Sequence, residues 1–225
     1  VLRRPRAVSL SLSLLLASCG QGSGVSALNQ VRGDPYPLDE LDRDTVSEAC
    51  PELPLITYAG TSVRYPRPVR IVAPLVSHLA RLERLAVQLA TGIYGRAPTT
   101  LMHAGTYVCR PIRARVGRWS EHALGNAIDL VGFGFVALPK SPPGTADPGK
   151  DLPKGLRGRF EVRVGRDWHQ KDDEVSKLHA HFLHALAITL ANEHTFRGLI
   201  GPPDPDHLGH LHLDMGPWQL VRMGP

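Results

Sequence analysis

Near the C-terminus the run "HLGHLHLDM" alternates His210, Leu211, His212, Leu213 and Asp214. Strict alternation suits a β-strand, because side chains two apart share one face of it. His210, His212 and Asp214 therefore project to one side, and Leu211 and Leu213 to the other, into a core. The end of "SEHALGNAIDL" obeys the same rule: Ile128 and Leu130 face inward and Asp129 outward. His122 stands seven residues before Asp129, a spacing that fits neither one helix face nor one strand face. With Gly125 between them, that spacing predicts a turn feeding a strand. If the two strands are neighbours, Asp129, His210 and His212 converge on one open surface, and His122 reaches over its edge.

Elsewhere the periodicities are plain. "LVSHLARLERLAVQLA" repeats Leu75, Leu79, Leu82, Leu85 and Leu89 at helical spacing, and "DEVSKLHAHFLHALAITLANEHTF" predicts a second long helix. "TTLMHAGTYVCR" is expected to be a strand ending at Arg110. "RFEVRVGRDW" is expected to be another, with Phe160, Val162 and Val164 on one side. "LPKSPPGTADPGKDLPKG" (138–155) is too rich in Pro and Gly for regular structure and predicts a long loop. Long helices placed around non-alternating strands predict an α+β fold: one domain with a small, mainly antiparallel sheet carrying the site, flanked by two longer helices.

Two imidazoles and a carboxylate are a good ligand set for zinc, and three protein ligands leave a fourth tetrahedral position open for chemistry. A His-x-His alone is ordinary, but the spaced set is specific. Ser120, His122, Gly125, Ala127 and Asp129, followed by His210 and His212, resemble the signature of the LAS zinc peptidases, named for lysostaphin, D-alanyl-D-alanine carboxypeptidase and sonic hedgehog. More closely, "YVCR…SEHALGNAIDLVGF…DW…FLHAL…LIGP…HLGHLHLDM" is similar to the bacterial extensin-like C-terminal domain, from about Cys50 to the C-terminus.

That resemblance implies zinc held by His122, Asp129 and His212, with His210 as the catalytic histidine. It implies that Arg110 holds a substrate carbonyl or carboxylate, and that Ser120 and His207 have supporting roles; Asp214 joins them from the strand face. The chain departs from the pattern at Gly209, where relatives commonly carry Asp, and it lacks a family cysteine near Asn192. The activity implied is zinc-dependent hydrolysis of peptidoglycan peptide bonds, of D,D-endopeptidase or carboxypeptidase type. The alternative is a non-catalytic, zinc-containing lipoprotein that binds the cell wall.

The N-terminus bears on location. "VLRRPR" followed by "AVSLSLSLLLAS" has the form of a secretory signal, too short to span a bilayer as a mature helix. Leu16-Ala17-Ser18-Cys19 resembles a bacterial lipobox, in which Cys19 is acylated; the alternative is an ordinary signal peptide containing a cysteine. The domains expected are thus a lipoprotein signal peptide over 1–19, a flexible tether over 20–46 and a folded domain over 47–225. Export with a lipid on Cys19 places the protein in the periplasm, at the outer membrane. Loss of Arg3, Arg4 and Arg6 takes the net charge from +5 to +2, and no lysine-rich tract interleaved with aromatics is present. Nucleic acid is therefore not an expected partner. With Cys19 assigned to lipid, Cys50 and Cys109 remain as a pair suited to a disulfide in an oxidising compartment, or as two separate buried thiols.

The remaining candidates have plain readings. His179, His181 and His184 fall on a helix whose Phe182, Leu183 and Leu186 do the packing, so they are expected to be structural. His78 is expected to be a packing or surface residue and not a ligand, Trp168 to be core, His103 has no assigned role, and three of Arg110, Arg113, Arg115 and Arg118 are expected to form a solvated loop face.

Overall fold

The computed structural model describes residues 35–113, 115–139 and 149–224. The signal segment with Cys19, the first part of the tether and the centre of the 138–155 loop lie outside them.

The site is carried by a six-stranded sheet. Its longest strand, β6 (Ala127–Phe135), is flanked on one edge by β3 (Thr100–Gly105). On the other edge, β9 (Leu211–Asp214) pairs with the first half of β6 and β7 (Phe160–Arg163) with the second half. Beyond β9 come β8 (Gly198–Ile200) and β10 (Leu220–Arg222). Every pairing in this sheet is antiparallel except β8 with β10. Two hairpins stand apart: β1 (Leu55–Tyr58) with β2 (Val69–Val72), and β4 (Pro111–Ile112) with β5 (Arg115–Trp119).

The two long helices, α1 (Leu75–Tyr94) and α3 (Glu174–Asn192), pack on each other and on one sheet face. The leucine stripe of α1 (Leu75, Leu79, Leu82) and Phe182, Leu183 and Leu186 of α3 share one core with Ile128, Leu130, Leu211 and Leu213. Each such side chain, fully withdrawn from water, contributes roughly 1.5–3 kcal/mol. The sheet face away from the helices is left for polar side chains. Asp173 caps α3 by accepting from Ser176 N at 2.8 Å, and Gly95, at φ 67°, closes α1.

Several boundaries differ from the sequence expectation. β3 stops at Gly105 and does not reach Arg110, because its pairing with β6 slips by a bulge at His103 and Thr106 turns to bond Arg70 O through Oγ1 (3.0 Å). β7 stops at Arg163: Asp167 accepts from Arg163 N at 2.8 Å and folds Val164–Asp167 into a short helical turn, α2. His210 precedes β9, which begins at Leu211. The folded domain starts before residue 47. Among the residues read as tether, Tyr36 and Arg43 are buried, held by charged and aromatic contacts that composition does not register.

Cys50 and Cys109 form a disulfide with Cα atoms 5.7 Å apart. Closing the 59-residue separation stabilises the domain by roughly 4 kcal/mol in chain-entropy terms. His179 is buried against Tyr94 and Phe160, His184 sets its ring edge-on to Trp168, and Trp168 is core, as expected. Arg118 is buried and lies 3.4 Å from Asp44, so it does not belong to the solvated face expected of that loop.

Candidate metal centre

Three short pieces of backbone bring the site together. Ser120 caps a single 3-10 turn, Glu121–Leu124, its hydroxyl accepting from His122 N at 3.3 Å. Gly125 ends the turn at φ 62°, where a Cβ would stand 2.5 Å from Leu55 Cδ2, so only glycine lets the chain drop directly into β6. In β6 and β9, Asp129 lies directly opposite His212.

The result is a triangle of donor atoms. His122 Nε2, His212 Nδ1 and Asp129 Oδ1 lie 3.1 Å from one another on all three sides. Each imidazole is held from behind through its other nitrogen. His122 Nδ1 lies 2.7 Å from Thr106 O, and His212 Nε2 lies 2.8 Å from Asp214 Oδ2. A carbonyl or an ionised carboxylate only accepts, so both outer nitrogens carry hydrogen. In an uncharged ring the inner nitrogen is then a bare lone pair, aimed at the other imidazole and at a carboxylate oxygen.

Three acceptors this close require a cation between them. A proton is the minimal one. Burial by itself would lower the pKa of His212, but hydrogen bonds to Asp129 and Asp214 outweigh it and push the imidazole up to about 10. Burial would raise that of Asp129, and bonds to His122 and His212 hold it well below the usual carboxylate range. A metal ion is the other choice. Tetrahedral coordination at about 2.0–2.1 Å puts ligand atoms about 3.3 Å apart, close to the spacing seen here. Backing of metal-bound imidazoles by carboxylate and carbonyl is also the usual arrangement. The donor set fits a first-row divalent ion.

The other expected residues surround this triangle in a cleft of about 430 Å³ lined by Arg110, Ser120, His207, His210 and Asp214. His210 Nε2 is 3.4 Å from Asp129 Oδ1. His207 bonds Asp204 Oδ1 at 2.7 Å and rests its ring beside His210. Arg110 gives one guanidinium hydrogen bond to Pro111 O at 3.3 Å. Asp214 faces His212, and its carboxylate occupies space that a side chain on residue 198 would fill: a Cβ on Gly198 would lie 2.2 Å from Oδ2.

Some contributors escaped sequence reasoning. Thr106 acts through a backbone carbonyl, which no residue type announces. Glu121 and Asn126 bond each other at 2.7 Å beneath the turn. Trp218, on the cleft wall near Arg118, lacks any neighbouring motif. Asp204 was legible in principle, three residues before His207.

The family model described as extensin-like protein C-terminus matches residues 34–137. Over that span, a little under half of its length, the chain is similar to that family. The match includes Arg110, Ser120, His122, Asp129 and both disulfide cysteines, and ends before His207, His210, His212 and Asp214. No curated protein and no solved structure is matched.

Proposed function

We propose that the chain is a zinc-dependent hydrolase of peptide bonds in peptidoglycan, of D,D-endopeptidase or carboxypeptidase type, held in the cell envelope by a lipid on Cys19. The observation that carries this is the triangle of His122 Nε2, Asp129 Oδ1 and His212 Nδ1, each imidazole fixed by a second acceptor, on the floor of an open cleft. Those three residues would hold the metal. When bound, zinc supplies Lewis acidity, polarising a carbonyl and acidifying water near neutral pH.

The remaining roles fall to side chains that are not ligands. Burial lowers the pKa of His210, so at pH 7 its ring is neutral and able to accept a proton in the cleft. Arg110 offers a guanidinium fork to a substrate carbonyl or carboxylate. Asp214 keeps His212 in one tautomer and orientation. A zinc held only for structure needs neither His210 nor Arg110, which favours hydrolysis over a purely wall-binding role.

Incubating the zinc-loaded protein with purified peptidoglycan fragments, with and without chelator, and weighing the products by mass spectrometry tests the reading. Chelator-sensitive release of shortened or uncrosslinked peptides is expected. Intact fragments, or release that chelator leaves unchanged, would sink it.

A further inference from the structure

We infer that residues 36–43, ahead of the first strand, form a clasp that sets the geometry of the metal centre, with Arg43 as its positioning residue. The inference rests on the reading of the His122, Asp129 and His212 triangle as a metal site.

The clasp is made of groups that are costly to bury, so their targets are informative. A buried ion pair gains little stability over well-packed apolar residues, and this segment holds two. Arg43 is 3% exposed. Its Nε donates to Glu121 Oε1 at 2.6 Å and its Nη2 to Oε2 at 3.5 Å, while Nη1 donates to Leu38 O and Leu41 O at 2.7 and 3.1 Å. Asp39 receives both terminal nitrogens of Arg197, at 2.5 and 3.2 Å. Tyr36 donates its hydroxyl to Asn126 Oδ1 at 2.7 Å.

Each contact ends on a residue tied to a ligand, either along the chain or through that ligand's own partner. Glu121 immediately precedes His122 in the 3-10 turn. Asn126, fully buried, donates to Glu121 Oε2 at 2.7 Å and immediately precedes β6, three residues before Asp129. Arg197 donates its backbone N–H to Asp214 O at 3.0 Å and its Nη1 to Gly216 O at 3.4 Å, and Asp214 holds His212. Three contacts from eight consecutive residues thus lead toward all three donors: by way of Glu121 to His122, of Asn126 to the start of β6, and of Arg197 to Asp214 at the end of β9. Arg43 is central because it fixes both the clasp's own carbonyls and the turn bearing His122.

A positioning role and a merely stabilising one separate in metal affinity. The test uses the full chain as wild type, Arg43→Met, Arg43→Met with Glu121→Gln, and Tyr36→Phe. Zinc affinity is read by competition with a chelating dye, and coordination geometry by the visible spectrum of the cobalt(II) form. Arg43→Met should lower zinc affinity by roughly 10- to 100-fold, the range for losing support behind metal ligands, and weaken the tetrahedral cobalt bands. The double variant removes the stranded Glu121 charge, so it should regain stability without regaining affinity. Should Arg43→Met fail to fold, Tyr36→Phe removes a single hydroxyl and should still cost about 5-fold in affinity, the equivalent of one hydrogen bond. Zinc affinities and cobalt spectra equal to wild type in the folded variants, or affinity that returns with stability in the double variant, would overturn the clasp alone. A wild-type protein that binds no zinc would remove the metal reading and the clasp with it.

Discussion

Asp214 and Thr106 fix which nitrogen of each site histidine faces inward, and that choice decides whether the triangle can receive a metal at all. Asp214 is the sharper test because its support is a side chain. Asp214→Ala leaves His212 Nε2 without its 2.8 Å partner and frees the ring to turn. Zinc affinity should fall by roughly 10- to 100-fold, measured by competition titration, and an unchanged value would show that Asp214 is not needed for orientation. The proton on His212 gives a second test. With its pKa raised to about 10 in the metal-free site, His212 is protonated at pH 7 and must give up that proton to coordinate. Affinity should therefore rise with pH by about tenfold per unit through neutrality. Calorimetry in buffers of different ionisation enthalpy should find close to one proton released per zinc, and none released would contradict the assignment. The sign for stability is opposite: a raised histidine pKa stabilises the metal-free fold below the unfolded value of about 6.5, and that stability is lost as pH rises through about 10.

At the level of elements, α1 carries a feature its leucine stripe conceals. Glu83, fully buried, accepts from Tyr58 OH (2.7 Å), Thr61 N (2.8 Å) and Ser62 N (2.6 Å), tying the helix to the loop after β1. Burial alone would raise its pKa, but these hydrogen bonds outweigh it and lower it below the ordinary value. Its contribution is therefore present above about pH 4.5 and lost as pH falls through the lower folded value. Glu83→Ala should destabilise the protein by roughly 3 kcal/mol, since several buried donors lose their partner at once. Urea unfolding at pH 7 measures this, and a change below about 0.5 kcal/mol would mean that water replaces the carboxylate. Glu83 also shows where sequence reasoning stops. Alternation around Asp129 and His212 was legible because a strand with one buried face writes its period into the chain. The α1 stripe was legible for the same reason. Glu83, Arg43 and Asp39 were not, because a charged residue reads as surface until its partner is known, and their partners lie 22, 78 and 158 residues away. Thus 35–46 read as tether, though two of its charges, Asp39 and Arg43, are withdrawn from water in ion pairs. The ends of β3 and β7 were missed for a related reason: a bulge and an aspartate cap overrode residues that could have continued the strands.

For the whole molecule, the helices and the apolar sheet face form one core, and the opposite face opens to the cleft. Among the described residues, no helix is long and apolar enough to cross a membrane, so attachment in the proposed account rests on Cys19. Cys19→Ala should move the protein from the membrane fraction to the soluble periplasmic fraction; a variant that still sediments with membranes would count against the lipid anchor. The central claim is a centre of three protein ligands with His210 held beside it as a proton carrier. Its most direct measurement is metal content and peptidoglycan hydrolysis in His210→Ala and His212→Ala variants, assayed side by side. His212→Ala should lose zinc, whereas His210→Ala should keep close to one zinc per chain while hydrolysis falls by about 10²–10⁴. Loss of zinc from the His210 variant with retention in the His212 variant, or loss from both, would contradict that arrangement.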